Sequence, residues 1–184
     1  MAAAVSTVAL AVTATPALAS SNANLALVNG RLRSVIAGLC LDSNDVGDVY
    51  KLACNGGNYQ VWTFSKIGEV TESGQTNLVL QIMDAQTLRC LDSDDDGDVY
   101  TLPCADSNPY QQWVWYTDGH NAFKDVQSQR CLDANAVESP VYTRATWLPS
   151  GCDSGYQMWD RAFPAQIGPL LGYQPIGPML GNPS

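Results

Sequence analysis

The chain has 184 residues, 18 acidic against 9 basic, giving a formal net charge of −9, with six cysteines and one histidine. Such a charge repels phosphates and anionic lipid, so nucleic acid and bare membrane are poor partners. Beyond the first twenty residues no segment approaches the roughly 18 apolar residues that a membrane span requires.

The opening stretch, "MAAAVSTVALAVTATPALAS", is an apolar run of small residues that closes on Ala17-Leu18-Ala19, the small-x-small pattern of signal-peptidase cleavage. It lacks a basic n-region, yet reads as a signal peptide over residues 1–19 rather than an anchor. The protein is therefore expected to be secreted. Six cysteines agree, because disulfides persist in an oxidising compartment.

After the leader the chain repeats itself. The first unit reads "CLDSNDVGDVYKLACNGGNYQVW" from Cys40 to Trp62, and the second "CLDSDDDGDVYTLPCADSNPYQQW" from Cys90 to Trp113. A looser third unit, "CLDANAVESPVYTRATWLPSGCDSGYQMW", runs from Cys131 to Trp159. Each carries Cys-Leu-Asp, then Val-Tyr, a second cysteine and Tyr-Gln-x-Trp, and such self-similarity takes precedence over any local motif. About ten extra residues follow Trp62, and the insertion falls near "SKIGEVTESGQTN", which is loop-like in composition.

Within each unit "VYKLAC", "VYTLPC", "YQVWTF" and "YQQWVWY" alternate and are rich in β-branched and aromatic residues, so they are expected to be strands. Short strands punctuated by Gly, Asn and Asp indicate an all-β sandwich or barrel. A threefold repeat of about four strands narrows this to a threefold barrel. Trp62, Trp113 and Trp159 are then core residues in equivalent slots, with the neighbouring Gln amide tying down a loop backbone. The final stretch, residues 164–184, has Pro and Gly too often for a helix or a central strand and reads as an irregular tail.

Six cysteines allow 15 pairings. If each unit closes on itself, the bridges are Cys40 to Cys54, Cys90 to Cys104 and Cys131 to Cys152. That pairing leaves no thiol nucleophile, and zinc lacks both the C-x(2-4)-C spacing and the histidines. The acidic loop Asp92–Asp98 mimics the first half of an EF-hand, but position 12 falls on Pro103 and neither flank has helical periodicity. The sequence therefore calls for no metal and no cofactor, and leaves open whether the acidic loop holds an ion. The one histidine, His120 in the connector "YTDGHNAFKD", is the only residue on which a Ser-His or Cys-His arrangement could be built. No pair of acids recurs in a setting that would separate their pKa values, so the chain is read as binding without catalysis.

Threefold Cys-Leu-Asp…Cys…Gln-x-Trp units over residues 31–163 resemble the ricin B-chain type lectins, β-trefoil carbohydrate-binding modules. The resemblance implies one shallow sugar site per repeat. In that family the Asp of Cys-x-Asp accepts hydrogen bonds from two vicinal hydroxyls, an aromatic two residues before the second Cys stacks on the sugar, and the Gln completes the pocket. Here the aspartates match as Asp42, Asp92 and Asp133, and the glutamines as Gln60, Gln111 and Gln157. The stacking position departs from the pattern, being Leu52, Leu102 and, counted back from Cys152, Ser150. Tyr50, Tyr100 and Tyr142, two residues earlier on the same strand face in the first two repeats, are the candidate replacements. Before each Gln, where the family often has Asn, stands Tyr59, Tyr110 or Tyr156. In this frame Asp94 to Asp98 form a mostly solvated rim beside Asp92. The implied partners are saccharides or polysaccharides, with galactosides or xylan-like polymers fitting the negative charge. The alternative is an inhibitor or protein-interaction trefoil using loops such as "RATWLPSG" around Trp147. Oligomeric state is left open by the sequence.

Overall fold

The computed structural model describes residues 26–117, 121–135, 140–146 and 151–162. The leader, the tail, His120, Trp147 and Ser150 lie outside the described residues. Twelve strands are present among those described: β1 (Ala26–Ser34), β2 (Cys40–Ser43), β3 (Val49–Leu52), β4 (Trp62–Glu72), β5 (Gln75–Asp84), β6 (Arg89–Ser93), β7 (Val99–Pro103), β8 (Trp113–Tyr116), β9 (Ala122–Asp125), β10 (Arg130–Asp133), β11 (Tyr142–Ala145) and β12 (Trp159–Ala162). Every neighbouring pair is antiparallel.

Six strands form the barrel wall. β1 pairs with β12 and β4, β4 with β5, β5 with β8, and β8 with β9. The Trp159 N–H donates to the Asn121 carbonyl at 2.8 Å and joins β12 to the end of β9. The remaining strands make three hairpins, β2–β3, β6–β7 and β10–β11, one per repeat. This is the β-trefoil that the repeats imply.

Alternation in the strands explains the core. The Leu of each Cys-Leu-Asp, at 41, 91 and 132, points inward and is fully buried, as are Trp62, Trp113 and Trp159. Each indole N–H donates to the carbonyl of its own repeat's leucine, at 3.2, 3.0 and 3.2 Å, so the ring is buried without an orphaned donor. The disulfides join Cys40 to Cys54, Cys90 to Cys104 and Cys131 to Cys152, all within repeats.

Two expectations need correction. The stretch "SKIGEVTESGQTN" is not a loop but the far half of the β4–β5 hairpin, paired from Trp62 opposite Asp84 to Glu72 opposite Gln75. Only Ser73 and Gly74 turn, at φ 50° and 83°, the two positive values of a type I′ connection. The polar residues that suggested a loop are the solvent side of a strand pair, whose other side carries Ile67, Val70 and Val79 onto an outer apolar cluster with Val114, Tyr116 and the Cys131–Cys152 bridge. The Tyr-Gln pairs are likewise not strand residues. Asn58–Gln60, Pro109–Gln111 and Gly155–Gln157 are single 3-10 turns, and the strand begins at the following Trp.

The acidic turns hold the repeats together. The Thr101 N–H donates to the Gly47 carbonyl at 2.8 Å, and the Thr143 N–H to the Gly97 carbonyl at 2.7 Å, so each loop docks on the next repeat's hairpin. Lys51, at the equivalent position of repeat one, donates through Nζ to the Asn135 carbonyl at 2.7 Å and closes the circuit.

Candidate functional site

Each site is built from one hairpin and the 3-10 turn that follows its second cysteine. Because Leu points to the core, the Cys and Asp on either side of it share the opposite face, where the register sets a tyrosine directly across the strand: Asp42 opposite Tyr50, Asp92 opposite Tyr100, Asp133 opposite Tyr142. All nine predicted residues are thus brought into three equivalent clusters, each completed by its glutamine.

The carboxylates are deep. Asp42, Asp92 and Asp133 are 4%, 1% and 0% exposed. Gln60 Nε2 donates to Asp42 Oδ2 at 2.8 Å, and Gln111 Nε2 to Asp92 Oδ2 at 2.9 Å. Gln157 stands at the same place in repeat three, but its Oε1 accepts the Ser154 N–H at 3.3 Å, and both Asp133 carboxylate oxygens are buried without a hydrogen-bond partner among the described residues. The other end of each amide holds the loop, since Gln60 Oε1 accepts the Asn55 N–H and Gln111 Oε1 the Ala105 N–H, both at 2.8 Å. Burial pushes the Asp92 and Asp133 carboxyls up from the ordinary aspartate range, against the pull of the polar and cationic groups around them.

Tyr50 and Tyr100 are half-buried. Their hydroxyls donate to the Ser43 and Ser93 carbonyls at 3.0 and 3.3 Å, which lays the rings against the hairpin beside the carboxylates. Burial, then the neighbouring aspartates, raise both phenols. Burial, then Asp133, raise the Tyr142 phenol as well, with Arg144 pulling the other way.

The tyrosines before the glutamine in repeats one and two have a role the sequence did not reveal. Tyr59 donates to Asp45 at 2.7 Å and Tyr110 to Asp95 at 3.0 Å, latching the 3-10 turn to the acidic loop. The loop is therefore not merely a solvated rim. Asp94 Oδ1 accepts from the Gly97 and Asp98 N–H groups as Asn44 Oδ1 does from Gly47 and Asp48, an Asx-type turn cap. Asn108 was also missed: its Oδ1 caps the 3-10 turn through Tyr110 N–H, and its Nδ2 donates to Asp92 Oδ2 at 2.8 Å. Its signal was legible, since Asn or Ser stands three residues before Gln in two repeats, with Gly57 in the first.

The family's stacking position needs a further correction in repeat three. Counting back from Cys152 gave Ser150, but the strand register pairs Cys131 with Arg144 as it pairs Cys40 with Leu52 and Cys90 with Leu102. The longer segment before Cys152 misleads a count made from that cysteine.

The sequence pattern of the ricin-type beta-trefoil lectin domain matches residues 28–159, well over half of the chain. The chain belongs to this family. Its lectin domain is similar in structure to the hemolytic lectin CEL-III, at 26% identity and a TM-score of 0.54, over 73% of this chain and 30% of CEL-III. A designed three-fold symmetric protein, ThreeFoil, matches at 17% identity and a TM-score of 0.58, over 72% of this chain and 96% of its own. The cytolethal distending toxin structure from Actinobacillus actinomycetemcomitans matches at 17% and 0.58, over 74% and 92%. At that identity the last two speak for the fold alone.

The lectin domain also has a cleft of about 380 Å³ away from the three clusters, lined by Ile67, Gly68, Glu69, Val79, Asp106 and Gln112. None of its lining residues belongs to a predicted site. It lies where the long hairpin meets the segment after Cys104.

Proposed function

We propose that this chain is a secreted carbohydrate-binding protein that takes saccharides at sites centred on Asp42, Asp92 and Asp133, without catalysing their cleavage. The observation that supports this reading is the threefold recurrence of a buried carboxylate faced across the strand by a tyrosine, with a glutamine amide fixing that carboxylate in repeats one and two. A carboxylate held in one orientation accepts two hydroxyl donors without further ordering cost, and a ring beside it covers the apolar C–H face of a pyranose. Neutral polymers such as galactosides or xylan suit sites one and two, whose rims are acidic. Single shallow sites of this kind bind weakly, so retention on a polymer draws on avidity across repeats.

Exposed Leu52 and Leu102, 48% and 39% accessible, favour a second reading in which this face docks a protein. One experiment separates the two. The triple variant Asp42→Asn, Asp92→Asn, Asp133→Asn keeps an acceptor for each glutamine and removes the charged sugar acceptor. It is expected to stay folded by circular dichroism and to lose retention on insoluble polysaccharide, while the wild type is released by free sugar. Unchanged retention by the folded triple variant would replace the lectin reading with the protein-docking one.

A further inference from the structure

The cleft between the long hairpin and the segment after Cys104 rests on a hairpin extension that β8 and β9 lack. β4 and β5 pair from Trp62 opposite Asp84 out to Glu72 opposite Gln75, whereas β8 and β9 pair only from Trp113 opposite Asp125 to Tyr116 opposite Ala122. The extension carries a bulge, since its register shifts between Lys66 and Gly68 and leaves Ile67 as the extra residue. Ile67 and Val79 give the lining its apolar part. Gly68 adds room, because a Cβ built there meets only the Val79 Cβ, at 3.7 Å. The polar part is Glu69, Asp106 and Gln112, with no basic side chain among them. Gln112 Nε2 donates to the Asp106 carbonyl at 3.1 Å and holds that segment in place. Glu69 pairs with Lys66, whereas the Asp106 carboxylate has no cationic partner among the described residues. A further group stands beside this lining. Leu80 pairs with Trp113, so Gln81 and the extended Gln112, next along the two antiparallel strands, come side by side, and Gln81 shares its face with Val79. Gln81 Nε2 is buried and has no hydrogen-bond partner among the described residues, a donor whose desolvation nothing there offsets.

We propose that this cleft is a binding site separate from the three repeat clusters, and that it takes a hexosamine residue carrying a free ammonium. The proposal does not depend on the lectin reading of those clusters. A volume of about 380 Å³ lies within the range of small-molecule sites. Each part of such a sugar has a match there. The ammonium pairs with the Asp106 carboxylate, a hydroxyl or ring oxygen accepts from the Gln81 amide, and the C–H face covers Ile67 and Val79. An N-acetylated sugar keeps the ring but loses the charge. A plain alkylamine keeps the charge but offers the Gln81 donor no acceptor. The formal net charge of −9 draws cations to the molecule as a whole, and the cleft adds the shape and the hydrogen-bonding groups that select one of them.

The test titrates the full chain with short glucosamine oligomers, with their N-acetylated forms and with cyclohexylammonium, at a pH where the amines are protonated. It is run on wild type and on the triple variant Asp42→Asn, Asp92→Asn, Asp133→Asn, which removes the charge of the three repeat clusters. Both are expected to bind the glucosamine oligomer more tightly than its N-acetylated form by roughly fivefold, the modest preference of a solvent-exposed charge pair. The preference should shrink as salt is raised, and cyclohexylammonium should bind more weakly than the glucosamine oligomer. In the triple background, Asp106→Asn should bring the ratio of the two oligomers toward one. Gly68→Val, which puts a side chain into the cleft, should abolish binding of the glucosamine oligomer with a melting temperature close to that of its parent. A ratio unmoved by Asp106→Asn, equal binding of cyclohexylammonium, or no binding of the glucosamine oligomer would overturn the proposal. Loss of the preference in the triple variant would assign the amine to the repeat clusters, overturning the cleft site and leaving the lectin reading standing.

Discussion

Asp84 and Asp125 occupy one place in successive repeats, at the end of a wall strand, and each Oδ1 caps the turn that follows. Asp84 Oδ1 accepts from the Gln86 and Thr87 N–H groups, and Asp125 Oδ1 from those of Gln127 and Ser128. In both, Oδ2 is buried without a hydrogen-bond partner. Burial raises the Asp125 carboxyl to about 6, above the ~3.9 of an unfolded aspartate. The folded state therefore binds the extra proton between about pH 4 and 6, and Asp125 lowers stability as pH rises through that window, with the full cost present above it. Asp125→Asn keeps the Oδ1 acceptor and removes the charge. It is expected to be more stable than wild type at pH 7, by about 1 to 3 kcal/mol, with the gap closing toward pH 4. Urea denaturation of both proteins at pH 4, 5.5 and 7 checks this, and a gap independent of pH would mean that Asp125 does not titrate there.

At the level of elements, the turns of the β2–β3 and β6–β7 hairpins depend on glycine for two separate reasons. Gly47 and Gly97 have φ of 106° and 104°, which side chains rarely adopt, and a Cβ on either would lie 2.8 or 2.7 Å from the carbonyl oxygen of Thr101 or Thr143. These are the carbonyls held by Arg89 and Arg130 of the docked repeat. Gly74, at the tip of the long hairpin, has φ of 83° but nothing within 4 Å of a built Cβ. Gly74→Ala should thus cost only its backbone strain, about 1 kcal/mol, and Gly97→Ala that strain plus displacement of the neighbouring repeat, about 2 to 4 kcal/mol. Their denaturation midpoints decide the matter: equal losses would show that the loop is not wedged between repeats.

Across the whole molecule, the long hairpin fastens one repeat to the others from outside the barrel. Glu72, at its tip, accepts from Lys124 Nζ at 2.9 and 3.0 Å and from the Tyr116 hydroxyl, with the Lys124 ammonium 5.5 Å from the Tyr116 ring centre. Burial pushes the Glu72 carboxyl up, but Tyr116 and Lys124 together outweigh it and hold it below its ordinary value. Its contribution is therefore present above the unfolded pKa and lost as pH falls through the folded one, opposite in sign to Asp125. Glu72→Ala leaves Lys124, only 6% exposed, without this carboxylate, and should destabilise by about 1 to 3 kcal/mol, less than for a fully buried pair because Glu72 is itself partly solvated. Guanidinium denaturation at pH 7 measures the loss, and a wild-type midpoint would mean that the hairpin tip is not fastened.

The sequence by itself determined the repeat, the threefold all-β architecture, the disulfide pairing, the buried tryptophans and which aspartate, tyrosine and glutamine of each unit would meet. The repeat, the bridges and the tyrosines rest on local spacing that recurs, since a period-2 strand converts spacing directly into a shared face, whereas the aspartates and glutamines follow from the resemblance to the lectin family. Only the tertiary structure decided what the intervening residues do. Polar residues after Trp62 form strands because their apolar neighbours find a partner cluster on the barrel wall, a fact no local composition carries. The acidic loops dock on the next repeat because the circuit brings Thr101, Thr143 and Lys51 to them from distant parts of the chain. Arg144 takes the place of a leucine because cross-strand register fixes position, where counting along an insertion does not. Spacing and resemblance named the candidate residues, and long-range pairing assigned their charged neighbours, because electrostatic surroundings are summed over neighbours in space rather than in sequence.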